Sequence, residues 1–270
     1  MNIEDEQIEI LLKDLLEIYG YDFTYYARAS ITRRINRLYV LDNFLNFDSF
    51  RGRIVSDRTY ITRFVEEITV NVTEMFRDSS FYKELAQEII PTLGTNPFIR
   101  VWLAGCSTGE EAYSVAILLY EAGLLNKTLI YATDINPGVL EKARLGVFPI
   151  SQMKQYSENY FACGGLEDFS SYYTANYNRV KFKEELRCRI IFSTHNLVSD
   201  GSFNEFHLIV CRNVLIYFNK ELQEKVFRLF DASLAKLSYL ALGSKETIRF
   251  SDIHSRFKQV SKEKIWRKVK

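Results

Sequence analysis

A chain of 270 residues with 47% hydrophobic and 14% aromatic content can fill one large core or two unequal ones, which excludes a disordered segment. Thirty-five basic residues against 34 acidic ones leave no whole-chain field to recruit nucleic acid or an acidic membrane surface. The four cysteines form no CxxC pair and the three histidines lack metal-ligand spacing; the start, MNIEDEQIEI, is acidic, and no apolar run approaches the roughly 18 residues of a membrane span. A cytoplasmic protein with reduced thiols, no metal and no membrane insertion is expected.

In chain order, Ile8, Leu11, Leu12, Leu15, Leu16 and Tyr19 fall at helical spacing over residues 3–19, and Gly20 offers a stop. A second helix is predicted from about Tyr25 to Leu41, with Arg28, Arg33, Arg34 and Arg37 among apolar Ile31, Ile35 and Leu38. Further helices are predicted from Asp57 to about Val70 and from Ser79 to Leu93. After PTLGTNP, short apolar runs alternate with helical ones: FIRVWLAG, EAYSVAILLYEAG, TLIYATD, PGVLEKARLG. That alternation is the pattern of βαβ units and a parallel sheet. It resumes with RIIFSTHN, FHLIVCRN, the helix KELQEKVFRLFDASLAKL, the strand YLALG and a closing pair around FKQVS and KIWRKV. Between Pro149 and Arg189 an interruption rich in Tyr and Phe, with Gly164-Gly165 as a hinge, reads as a small inserted β-subdomain with Tyr172, Tyr173, Tyr177 and Phe182 in its core.

Ligands of an open parallel sheet bind beyond the carboxyl ends of its strands. The first such place, AGCSTGEE, lacks GxGxxG and lacks the GK[ST] of a phosphate-binding loop, so dinucleotides and triphosphates lose ground. Ser107 with Glu110, or Thr108 with Glu111, matches a capping box, which alone would account for one acidic residue there. The second place, ATDIN, puts Asp134 where a carboxylate accepts hydrogen bonds from both ribose hydroxyls; the third and fourth, STHNL and CRNVLIYF, offer Asn196 and Asn213 as paired donors and acceptors. Each alone is an ordinary turn residue. Together they describe a nucleoside crevice with acid in place of a phosphate site, which suits S-adenosylmethionine with its cationic amino acid and sulfonium.

The motifs TVNVTEMFRDSSFY, RVWLAGCSTGEEAYSVAILLYE, ATDINPGVLEKARLGVF, FSTHNL and IVCRNVLIYF resemble, in order and spacing, those of the CheR-type chemotaxis receptor glutamate methyltransferases. The resemblance implies an α/β fold: a Rossmann-like class I methyltransferase sheet with helices on both faces, preceded by an all-helical domain and carrying an inserted β-subdomain. The expected boundaries are residues 1–76 for the helical domain and 77–270 for the methyltransferase domain, with the insert at about 150–188. It implies cofactor contacts by Asn71, Thr73, Arg77, Glu111, Asp134, Asn196, Leu197, Arg212 and Asn213, and catalytic positions for Arg77 and Tyr217. Sequence leaves open whether Glu110 or Glu111 faces the ligand; Glu111 is the expected contact. Arg33, Arg34 and Arg37 would recognise the acidic helical region of a membrane receptor, with a solvated helix face as the plain alternative. A receptor C-terminal peptide at the insert is a further partner within the family. Lys245, in GSKETI, stands where an acid is usual in relatives.

The reaction implied is methyl transfer from S-adenosylmethionine to glutamate carboxylates of chemotaxis receptors, by a monomer. A non-catalytic S-adenosylmethionine-binding signalling module and a small-molecule methyltransferase on the same scaffold are the competing readings.

Overall fold

The computed structural model describes residues 3–69 and 73–270. Its first part is helical: α1 (Asp5–Tyr19), α2 (Arg28–Leu41), α3 (Phe47–Ser56) and α4 (Arg58–Ile68). They enclose a core that includes Leu12, Ile35, Phe50 and Phe64, each essentially solvent-free. Gly20, at φ 74°, ends α1 by donating its N–H to the Leu16 carbonyl, a left-handed conformation that glycine enters without strain. Helix α3 was not among the expected helices. Its segment FDSFRGRIVS buries only Phe50 and Ile54, and it starts because the Asn46 side chain accepts the Ser49 N–H. Helix α2 begins later than Tyr25, because Tyr25 lies in a turn and Tyr26 forms an antiparallel bridge with Phe218.

Residues 79–93 form a helical run made of α5 (Ser79–Glu84), a π-turn over Leu85–Ile89, and α6 (Ile90–Leu93). Pro91, which has no N–H to give, lies just after the π-turn. The sheet then builds from β1 (Ile99–Ala104), α7 (Glu110–Glu121), β2 (Thr128–Asp134) and α8 (Pro137–Leu145). The insert follows as β3 (Val147–Pro149), α9 (Met153–Ala162), β4 (Tyr173–Asn176) and β5 (Arg179–Phe182), closed by α10 (Glu184–Arg187). Last come β6 (Ile190–Thr194), β7 (Phe206–Cys211), α11 (Lys220–Ser233), β8 (Leu234–Leu242), β9 (Phe257–Gln259) and β10 (Ile265–Lys268). The predicted final helix therefore stops at Ser233, and the residues LAKL join the strand.

The main sheet has the order β6-β2-β1-β7-β8-β10-β9, parallel from β6 to β8, with β10 antiparallel to both of its neighbours. The chain starts in the middle of the sheet and moves to one edge, then returns to β7, so β1 and β7 flank the point where connections diverge and a crevice opens. Helix α7 is buried over Ala112–Leu119 between the sheet and the insert, which explains why its sequence is apolar all round. The insert carries a three-stranded antiparallel sheet, β3-β5-β4. Tyr172 and Phe182 are in its core, whereas Tyr177 is almost fully exposed at the β4–β5 turn and plays no part in packing. The insert is tied to α7 by Glu121, whose carboxylate accepts the hydroxyls of Tyr160 and Tyr172.

Candidate active site

The carboxyl ends of β1, β2, β6 and β7 face α2 across a crevice. Its lining includes Thr73, Arg77, Glu111, Asp134, Asn196, Leu197, Arg212, Asn213, Tyr217 and Arg34. Asn71 lies outside the described residues. Arg33 and Arg37 are exposed and stand outside the crevice, on the outward face of α2.

At the end of β1 the chain turns sharply. Gly105 has φ 82°, and a Cβ there would meet Val214 Cγ2 at 2.4 Å. The turn leads to Gly109, at φ 95°, which precedes α7 without any side-chain cap. The capping-box alternative is therefore not what forms. Glu110 turns away from the crevice, buried, with Oε2 accepting the Thr108 hydroxyl at 2.6 Å and Tyr156 of α9 nearby. Burial pushes its carboxyl up to about 7, against the Thr108 hydrogen bond that favours the charged form. Glu111, about 100° further round the helix, lines the crevice. Burial also raises its carboxyl, while the charge of Arg212 opposes the rise.

Asp134 ends β2 with both oxygens engaged: Oδ2 accepts the Ser107 N–H at 2.9 Å and Oδ1 accepts the Asn136 N–H at 3.0 Å. A carboxylate has about four lone-pair sites, so each oxygen keeps capacity toward the crevice. Burial raises this carboxyl too, with the backbone hydrogen bonds working against it. The Ser107 hydroxyl beside it is buried on the crevice wall without a hydrogen-bond partner. Asn196 makes a local turn, its Oδ1 accepting the Val198 N–H at 2.9 Å, and its own N–H goes to Asp200.

Arg212, at the end of β7, holds the far wall. Its Nη2 donates to Asp78 Oδ2 at 2.7 Å, and Nη1 donates to the Arg77 carbonyl at 3.2 Å and to Glu111 at 3.4 Å. Its guanidinium lies 4.0 Å from the Phe81 ring centre. The segment that follows the undescribed residues is thus held in place: Phe76 donates its N–H to Ser114 Oγ at 3.0 Å, and Arg77 brings its side chain to the crevice. Opposite, Arg34 reaches from α2 to 6.0 Å from the Tyr217 ring centre, and its Nη1 donates to the Glu67 carbonyl. Burial raises the Tyr217 phenol, and the charges of Arg34 and Arg77 oppose that rise. The Cys106 thiol, also on the lining, is pushed well up by burial, which disfavours the thiolate.

Tyr26, Asp78, Tyr82 and Glu246 escaped the sequence reading, and Ser107 figures there as a capping residue and not as part of the lining. Asp78 and Tyr82 lie within the quoted FRDSSFY motif, so that motif was the available signal. Lys245 is exposed and outside the lining, while the next residue, Glu246, is buried.

An open sheet of this order, with acid and amide groups at its strand ends, defines a class I methyltransferase fold. The family model described as CheR methyltransferase, SAM binding domain, matches residues 71–265, and that described as CheR methyltransferase, all-alpha domain, matches residues 6–69. A Pseudomonas putida protein provisionally named methyltransferase Cher3 is 44% identical over 267 residues, spanning 98% of this chain and 97% of that one. The chemotaxis protein methyltransferase of Listeria innocua is 32% identical over 231 residues, 85% of each chain, and that of Borreliella burgdorferi 31% identical over 267 residues, 92% and 90%. The chain belongs to the CheR methyltransferase family, and it is an S-adenosylmethionine-dependent methyltransferase.

The crevice fits that cofactor. Buried Asp134 has free lone pairs suited to a ribose diol, Glu111 supplies negative charge for an ammonium or sulfonium, and the Ser107 hydroxyl is buried and unpartnered. Among the described residues no group of His, Cys, Asp and Glu is arranged to hold a metal, and no helix is long and apolar enough to cross a membrane.

Proposed function

We propose that this enzyme esterifies glutamate side chains in the cytoplasmic helical region of a chemotaxis receptor. The observation that carries the reading is the set of Arg34, Tyr217 and Arg77 around a crevice whose cofactor side is acidic, with Arg33 and Arg37 exposed just outside it. A basic rim suits an acidic helix, and a small-molecule substrate would need no exposed arginines beyond the mouth. In this reading Thr73, Glu111, Asp134, Asn196, Leu197, Arg212 and Asn213 form the cofactor side, and Asn71 belongs with them. The unit up to residue 76 then serves chiefly the receptor and the unit from residue 77 chiefly the cofactor, with Thr73 at the end of the first also reaching the crevice.

Bound S-adenosylmethionine supplies an activated methyl group on sulfonium. A glutamate carboxylate, with a reference pKa of about 4.3, is already ionised at neutral pH, so the protein need not provide a base. Arg77 and Tyr217 orient the substrate carboxylate, and the walls formed by Tyr26, Ile31 and Phe218 exclude water. Such orientation is worth up to roughly 7–11 kcal/mol of barrier. The nearness of Arg34 and Arg77 to the Tyr217 phenol favours a contact that steers the carboxylate without a tight clamp, which would stabilise the ground state as much as the transition state. Receptor binding through a C-terminal peptide would use the exposed β4 edge of the insert, a strand-addition mode.

The test incubates the purified chain with methyl-labelled S-adenosylmethionine and receptor cytoplasmic fragments. Base-labile label on glutamate is the expected product, and Arg33→Ala with Arg37→Ala should cut its formation at least 10-fold. Absence of methyl ester on every receptor fragment tried, or an undiminished rate in the double variant, would defeat the reading.

A further inference from the structure

Glu246 lies outside the crevice lining, yet its carboxylate accepts five backbone N–H groups. Oε1 accepts from Val214 at 3.0 Å, Leu215 at 2.8 Å and Ile216 at 3.3 Å. Oε2 accepts from Asn213 at 3.1 Å and from Gly243 at 2.6 Å. Four of these donors are consecutive, and they end one residue before Tyr217. They belong to a loop that leaves β7 with Asn213 at φ 61° and passes through a single 3₁₀ turn, Leu215–Tyr217. So short a turn cannot satisfy its own leading N–H groups.

No neutral side chain can do this job. An amide offers one oxygen and would turn an NH₂ against the remaining N–H groups, whereas a carboxylate accepts on both oxygens. The same loop is held from the other side by the helical domain. Ala27 donates its N–H to the Tyr217 carbonyl at 2.7 Å, and Asn219 donates to the Tyr25 carbonyl at 2.9 Å. Between these anchors Asn213 and Tyr217 have little freedom in how far they enter the crevice.

We infer that Glu246 is a positioning residue for methyl transfer: its carboxylate sets the backbone of residues 213–217 and, through it, the placement of Asn213 and Tyr217. The inference rests on the reading that those two side chains serve the site, but not on the identity of the methyl acceptor. Gly243 gives a second, independent handle. A Cβ there would lie 2.7 Å from Glu246 Oε2 and 2.9 Å from the Asn213 nitrogen, so Gly243→Ala disturbs the same clamp without removing its charge.

The test is calorimetric, on the full chain with S-adenosylhomocysteine. Glu246→Gln and Gly243→Ala should each weaken binding at least 10-fold while keeping a cooperative unfolding transition. In a double-mutant cycle Asn213→Ala should add less than 2-fold to the Glu246→Gln penalty, because both act on one loop, whereas the penalty of Asp134→Ala should multiply in full. A carboxylate that served stability alone would lower the unfolding temperature and leave the affinity of the folded protein intact. Affinity within 2-fold of the parent in the folded variants, or full multiplication of the Asn213→Ala penalty, overturns the inference. Should Glu246→Gln fail to fold, Gly243→Ala decides on the affinity criterion. A chain that methylates no receptor yet shows these affinity losses would sink the glutamate reading and keep this one.

Discussion

Arg212 and Glu111 meet at 3.4 Å across the back of the crevice, and their side chains are 4% and 13% exposed. The nearer partner of Arg212 is Asp78, at 2.7 Å, so one guanidinium joins the end of β7, the first turn of α7 and the segment that carries Arg77. Replacing it should therefore damage both stability and ligand binding. Removing one member of a buried ion pair costs about 3–5 kcal/mol, because the partner is left charged and unpaired. Arg212→Met should lose stability of that order in urea unfolding followed by tryptophan fluorescence, which reports on the sheet unit through Trp102 and Trp266. An unchanged midpoint would show that the three-way contact does not matter.

Glu110 and Glu111 should part company in binding experiments. Glu111 lines the crevice and Glu110 faces Thr108 and Tyr156. Glu111→Gln is expected to weaken S-adenosylhomocysteine binding at least 10-fold, about 1.4 kcal/mol, and Glu110→Gln by less than about 3-fold. The reverse ranking in calorimetry would move the ligand's cationic group to the other side of α7.

Glu110 should instead declare itself in the pH dependence of stability. Its carboxyl is held up to about 7 in the folded protein, against 4.5 for an ordinary glutamate. Between those values the folded state keeps a proton that the unfolded state has released. The stabilisation is complete below 4.5 and is lost as pH rises through about 7, leaving a cost of about 3 kcal/mol above it. Glu110→Gln should thus gain stability relative to the parent progressively from pH 5 to 7 and then hold a constant advantage. Glu111, Asp134 and Glu246 are shifted in the same direction but are common to both proteins, so the difference isolates Glu110. A pH-independent difference in unfolding free energy would refute the assignment.

Gly105 and Gly20 make a matched pair of glycines with positive φ, at 82° and 74°. Alanine at Gly20 would meet nothing within 4 Å, so Gly20→Ala carries only the left-handed penalty, about 1–2 kcal/mol. Alanine at Gly105 adds the collision with Val214, worth about 1–3 kcal/mol more if the neighbours shift to accept it. Thermal unfolding should rank Gly105→Ala below Gly20→Ala, and only the former should lose cofactor affinity, since Val214 belongs to the clamped loop. Equal affinities would show that the approach of β1 to that loop is inconsequential.

Much of the fold could be read from periodicity, because strands such as IRVWLA and helices such as α7 advertise burial residue by residue. That Asp134, Asn196 and Asn213 line the crevice was legible because a parallel sheet puts its strand-end residues at known places along the chain, whereas the choice of Glu111 over Glu110 came from the family resemblance. What periodicity could not show was contact between distant segments. The diversion of Tyr25–Ala27 into a bridge with residues 217–219 leaves no local mark, and a helix start was the natural expectation there. Glu246 was hidden for the same reason: its donors lie in another loop, and nothing within GSKETI marks its carboxylate as buried. Helix α3 was missed because its two buried residues made too thin an apolar stripe.

The bridge between Tyr26 and Phe218 bears on how the enzyme comes into being. Synthesis begins at the amino terminus, so the helical unit is made early and carries one wall of the crevice, with the edge of that wall unmatched. The opposing wall is drawn from strand ends and loops reaching to residue 218, and its clamp from residue 246. Residues through Glu246 must therefore leave the ribosome before the crevice can close, and a product truncated earlier lacks part of the methyl-transfer site.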